Sequence, residues 1–417
     1  MEYPQKSLSV RARTFAVSAL ASGLLTVPAL AAGTVNTPAY DIAGRQTLYV
    51  ESNATGSGKN AVFAFGLSYD GSLQPLPGSP FLTGGTGYFD PSFKLGPFDN
   101  DQQLTLSGDG RTLYAVNGGS NTISALHIGF GGQLANLLGW PIASGGSTPV
   151  SIGQQANSLV VLNSTEDPAQ ATSTPVPNIQ SFDLLPGGFP LRRPRQELSL
   201  PRASNPTQVL TTDTGRFIFG TNFPAGGDVS AFARQADGTI TQADTALPPT
   251  FDGVQALALG LWAHPSRPFL YAGLVNVNRV AIYRWNTEGH LQYIGAVADS
   301  GQGPCWLRTT RDGHFLLAAN TADQSISVFD LSNPSSPTEV TRAVGGGLGG
   351  YFEFSLSPDQ RHVYVLEQEN SVASAGKSNK IHVFDFDPSS GQITSDPGKL
   401  VTLPVDASTR PIGMAVR

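Results

Sequence analysis

The chain of 417 residues contains a single cysteine, Cys305. That excludes an intramolecular disulfide and a thiolate metal cage, and leaves Cys305 to be read as a small packed hydrophobe. Charge is scarce as well: Asp, Glu, Lys and Arg make up 13% of the residues, with a net charge of −6. Setting aside Lys6, Arg11 and Arg13 against Glu2 removes +2 and leaves −8. An acidic body without a Lys/Arg cluster excludes nucleic acid and anionic membrane surfaces as partners. Beyond the first thirty residues no window carries helical periodicity, and no second apolar run reaches membrane length, so no membrane span is expected. There is no Gly-x-Ser-x-Gly elbow and no phosphate loop. The run Gly345–Gly350 lacks the lysine and the following helix, and reads as a flexible connection. The six histidines show no ligand spacing and read as surface or packed residues. Asp99-Asn100-Asp101 and Asp385-Phe386-Asp387 fall short of a full calcium-loop pattern.

What the chain has in quantity is turn residues, 47 Gly and 31 Pro, and a repeat. Seven times a turn carrying Gly, Asp or Pro precedes a short β-rich run, and most of these lead into a second run. Thr112–Asn117 followed by Thr122–Leu126 is one clean copy, and Phe315–Asn320 followed by Ser325–Asp330 is another. Aligned on Leu48, Leu113, Leu159, Phe217, Leu270, Leu316 and Val363, the steps are 65, 46, 58, 53, 46 and 47 residues. They centre on the length of a four-stranded propeller blade, roughly 40–50 residues. The longer steps hold insertions at Gly84–Asp99 and Pro168–Pro177. A unit of this size cannot bury both faces alone and must stack on its neighbours. The predicted fold is therefore all-β, a seven-bladed β-propeller spanning residues 33–417. Pairing Pro411–Val416 with the hairpin around Tyr49 would complete the seventh blade and hide two sheet edges, the other reading being frayed termini.

Residues 1–32 read as an export signal. Lys6, Arg11 and Arg13 form its basic region, Phe15–Val27 its apolar stretch, and Ala29-Leu30-Ala31 a small-residue cleavage pattern. The expected location is periplasmic or secreted, and the expected state monomeric.

The pattern turn-(F/L)-L-Y-(V/A)-x-N followed by (I/V)-S-(V/A)-F resembles the lactonase, or YVTN-type, seven-bladed propellers. That group includes 6-phosphogluconolactonase and the carboxymuconate cyclases. The resemblance runs from about Gln46 to the C-terminus and is carried best by Ser107–Ile128, Arg311–Leu331 and Ser355–Phe386. It implies active residues of His, Arg and Glu type on inner strands, near the mouth of a central channel. Where the cytosolic enzymes often open an inner strand with Gly-Pro-Arg-His, this chain has Gly303-Pro304-Cys305-Trp306-Leu307-Arg308, so both side chains are replaced. Glu367 matches the family's last-blade glutamate, and His264 falls in a turn.

Inner strands are expected near Asp101–Leu106, Pro149–Gly153, Pro206–Leu210, Gln255–Leu259, Pro304–Arg308, Tyr351–Leu356 and Pro411–Val416. Their starts would bring Asp99, Asp101, Gln102, Gln208, Arg308, Glu353 and Arg410 together. Arg grips planar carboxylates through paired hydrogen bonds, and a carboxyl group suits enol or lactone chemistry. One expectation is thus an exported enzyme that hydrolyses or forms a small carboxylated lactone. Glu353 would be its acid/base, Arg308 and Arg410 its anion clamps, and Gln102, Gln208 and Asp101 its substrate-orienting residues. The alternative is a non-catalytic binding or scaffold propeller, whose rim insertions meet a protein partner while the axial side chains pair with one another and with water. No cofactor is expected; a cation in the channel is left open.

Overall fold

The computed structural model describes residues 45–417 except 90–100, 156, 166–175, 186–188, 191–195, 203, 213, 224–225, 370–376 and 407–408. The expected leader, most of the two insertions and Asp99 lie outside the described residues. Described helix is confined to two 3-10 turns, Gly118–Ser120 and Pro397–Lys399, and none is long and apolar enough to cross a membrane. The rest is short antiparallel strands in seven sheets, the blades of a propeller, with one added two-stranded hairpin.

Six blades are built from consecutive strands. Their innermost strands are Leu104–Leu106, Pro149–Gln155, Leu210–Thr211, Ala258–Ala263, Pro304–Thr309 and Gly350–Leu356. The remaining blade takes its inner strand, Met414–Val416, from the chain's far end and pairs it with Thr47–Glu51. Leu48 faces Val416, Tyr49 faces Ala415 and Val50 faces Met414. Reciprocal bonds between Thr47 and Arg417, at 3.1 and 2.9 Å, extend the closure. The predicted ring closure is therefore the observed one.

Two of the expected inner strands lie elsewhere. Val254–Gln255 pairs with Thr250–Phe251 across Asp252 and Gly253, both at positive φ, so this stretch is spent on its own tight hairpin. The fifth inner strand starts later, at Ala258, and ends in the register Ala263↔Leu270. In the fourth blade Pro206 has no N–H to give a ladder; it makes an isolated bridge to Asn222, and the strand itself is Leu210–Thr211.

Neighbouring blades meet through near-continuous apolar strands, as expected of sheets covered on both faces. Trp306 on one inner strand packs against Phe352 on the next, ring centroids 4.8 Å apart. Gly260 marks the closest approach, since a Cβ there would collide with the backbone oxygen of Cys305. Cys305 itself is buried in that packing. Four inner strands carry a register shift, between Pro149 and Ser151, Ala258 and Leu261, Pro304 and Trp306, and Phe352 and Phe354. A bulge re-aims one side chain out of the ladder. In the last of these the residue skipped is Glu353.

Candidate functional site

Around the inner strands a buried polar group is assembled from four blades. Arg308 holds Asp101 through two bonds of 2.7 Å, from Nη1 to Oδ2 and from Nη2 to Oδ1. This paired geometry is the strong form of an ion pair. Gln208 Nε2 donates to Asp101 Oδ2 at 3.2 Å and to Gln102 Oε1 at 3.0 Å, and Gln208 is itself fixed by the backbone of Leu261. Gln102 has φ +67°, a left-handed turn that aims its N–H at Glu353 Oε1, 2.9 Å away. Arg308 Nη2 lies 3.9 Å from the same oxygen. The guanidinium carbon of Arg308 sits 4.3 Å from the Trp262 ring, so it is stacked as well as paired.

Glu353 has no exposed surface, and its carboxyl lies within hydrogen-bonding reach of Asp101. Burial, followed by the negative charge of Asp101, pushes its carboxyl well above the ordinary range, against the pull of Arg308. Its surroundings thus favour the uncharged form. Arg308 is opposed by burial, but the Asp101 carboxylate above all holds its pKa above the ordinary value. The group is one ion pair with a buried carboxyl beside it.

Of the seven residues expected to converge, five meet here: Asp101, Gln102, Gln208, Arg308 and Glu353; Asp99 lies outside the described residues. Arg410 does not join them. Its Nη2 pairs with Glu369 Oε1 at 3.3 Å, and its guanidinium lies over Phe89. Asp101, Gln102 and Gln208 precede their inner strands, Leu104–Leu106 and Leu210–Thr211, as Arg410 precedes Met414–Val416, while Arg308 reaches Asp101 from one step before the end of its own strand.

A cavity of about 190 Å³ opens beside the group, lined by residues from all seven inner strands. Gln102, Trp262 and Arg308 are in its wall, with Gln154, Thr105, Thr211, Thr309 and Ser355 supplying neutral polar atoms. Arg308 and Arg311 are the charged residues that line it, and Arg311 is an exposed turn residue at its rim.

The last blade departs from two others at a second place. In those two the second strand's terminal Asn bonds a Ser of the third: Asn117 to Ser124 at 2.8 Å and Asn320 to Ser327 at 2.9 Å. The matching positions of the last blade hold Glu367 and His382, paired at 2.8 Å. Glu367 also accepts from the N–H groups of Leu348 and Gly349 and from Ser378 Oγ. These bonds, with His382 first, overcome burial and lower its pKa to about 2. His382 thus orders the glycine-rich connection through Glu367. Comparing repeat copies position by position would have shown this exchange. Gln103 and Glu51, buried near Gly413 with unpartnered side-chain atoms, carry no such signal in the sequence.

The profile of the lactonase family, a seven-bladed β-propeller, matches residues 260–350. Over these residues the chain is similar to that family. A 6-phosphogluconolactonase of Enterobacter sp. (strain 638) is 23% identical over 184 residues, 41% of this chain and 53% of that protein. The match thus spans about half the length of this curated relative. Among solved structures, a periplasmic gluconolactonase of Pseudomonas aeruginosa superposes with a TM-score of 0.66 at 21% identity, covering 89% of this chain and 98% of that one. A Lactobacillus plantarum protein gives 0.66 at 14% identity, covering 89% and 99%. These likenesses establish the shared architecture; the residues of the site are this chain's own.

Proposed function

We propose that this lactonase-like propeller is an exported, monomeric enzyme that opens a small lactone in the cavity at the ends of the inner strands. The observation that carries the reading is a fully buried carboxyl, Glu353, 3.9 Å from an Arg308 that pairs with Asp101 at the wall of that cavity; burial and the Asp101 charge push its pKa up. Titratable groups whose surroundings drive them into opposite protonation states are the usual equipment for acid–base chemistry.

In lactone hydrolysis, water adds to the carbonyl carbon, the ring C–O bond breaks, and the ring oxygen leaves as a hydroxyl. Arg308 and the amide of Gln102 face the cavity and would donate to the carbonyl oxygen, where negative charge develops. The Asp101–Glu353 pair would take a proton from the attacking water and return one to the leaving oxygen. Glu353 is enclosed, so its proton reaches the cavity through water. The closing direction, an open-chain acid forming a lactone, uses the same groups in reverse.

Replacing Glu353 by Gln keeps shape and hydrogen bonding while removing the titratable proton. The expected result is a fall in kcat of about 10²–10⁴-fold with KM nearly unchanged. If E353Q opens every lactone of a panel as fast as the parent, the enzymatic reading is lost. One observation favours the scaffold reading instead: both terminal nitrogens of Arg308 are engaged by Asp101, as in a purely structural network. Under that reading the same substitution leaves turnover at the buffer rate for both proteins.

A further inference from the structure

A binding site for an anionic substrate needs a cation whose charge is not already balanced. Among the described residues Arg308 is the one charged side chain in the inner wall of the cavity, and Asp101 balances its charge by pairing with both terminal nitrogens. Arg410, the second guanidinium expected to serve as a clamp, is paired with Glu369 and stacked over Phe89. Arg311 stands on the exposed rim turn, where water screens it. The rest of the wall consists of amides, hydroxyls and apolar side chains, with the Trp262 indole among them. We infer that the cavity takes an uncharged, hydroxyl-bearing lactone and rejects phosphorylated or carboxylated counterparts. The inference rests on the lactone reading above and narrows its substrate class.

Desolvating an anion without a partner is the dominant obstacle. A phosphate or carboxylate inside the cavity would exchange water for neutral dipoles, with the Asp101 carboxylate nearby and no free guanidinium to compensate. Amides and hydroxyls, by contrast, replace the hydrogen bonds of sugar hydroxyls one for one, and an indole suits the apolar face of a ring. Hydrolysis also turns the neutral substrate into a carboxylate anion. The same lack of a free cation would then favour release of the product.

Asp101 is thereby a specificity-determining residue, because it neutralises the one inner cation. Two measurements on the full-length protein test this. The first is kcat/KM for glucono-1,5-lactone and for its 6-phosphate, in parent and D101N. The parent should prefer the uncharged lactone at least tenfold, and D101N, with Arg308 released, should shift that ratio at least tenfold toward the phosphate. A parent that prefers the phosphate or treats both alike overturns the inference, as does an unchanged ratio in a folded D101N. The second is a ligand-detected NMR titration of the parent with gluconolactam and its 6-phosphate, which hydrolysis cannot consume. Tighter binding of the uncharged lactam upholds the selectivity even if neither lactone is opened, in which case only the enzymatic reading falls. Equal or tighter binding of the phosphate, or binding of neither, refutes it.

Discussion

Replacing Arg308 by Met removes a charge from a site where its partner cannot reach water. Asp101 is 1% exposed and held at 2.7 Å through both oxygens. At that separation and an effective dielectric of about 20, the attraction is about 6 kcal/mol. Much of it offsets the several kcal/mol spent on desolvating each ion, so the intact pair adds little net stability. Without the guanidinium, Asp101 keeps its desolvation cost with Gln208 as its remaining donor. The expected loss is about 3–5 kcal/mol, with the cation–π contact to Trp262 included. It should appear in urea unfolding as a lower midpoint with an unchanged slope. Substituting both partners, as in D101L with R308M, should recover most of the deficit, because no buried charge remains. A deficit below about 1 kcal/mol would show that the pair is not the buried couple described here.

The parent's own pH dependence follows from two glutamates of opposite sign. Glu353 has a folded pKa raised above its unfolded value of 4.5, so folding takes up a proton and this group's contribution declines as pH rises past that point. E353Q should therefore gain stability relative to the parent between pH 5 and pH 8, measured by urea midpoints at each pH; a parallel pair of curves refutes the assignment. Glu367 is lowered from 4.5 to about 2, so its contribution is present above 4.5 and is lost as pH falls toward 2. E367Q should cost stability at neutral pH and raise hydrogen exchange at Leu348 and Gly349, and its deficit should disappear near pH 2. Gly260→Ala should destabilise by several kcal/mol, because backbone and not a flexible side chain blocks the new methyl. Ending the chain before Ile412 should abolish cooperative unfolding, since it exposes the edge strand Thr47–Glu51 and the core faces that Ile412 and Met414 cover.

Strands and turns were legible in the sequence because their signals are local. Alternation is replaced by continuous β-branched and aromatic runs, turns carry Asp and Gly, and the spacing repeats at blade length. The two displaced inner strands fell where local cues misled: the Asp252-Gly253 turn consumed residues expected to line the axis, and Pro206 interrupted a ladder. Five site residues were legible for a related reason, since the repeat fixes which segments face the axis.

The sequence by itself determined the architecture, the closure of the ring and the short set of polar residues near its centre. Tertiary structure alone decided how those residues share charge. Whether Arg308 is free or spent depends on Asp101, 207 positions away, and whether Glu353 is ionised depends on burial between blades. It also decided that Arg410 pairs with Glu369 and does not join the central group. Propensity and repeat length act over a few residues and survive in a linear reading. Electrostatics acts through space, between neighbours that exist only after the blades have closed.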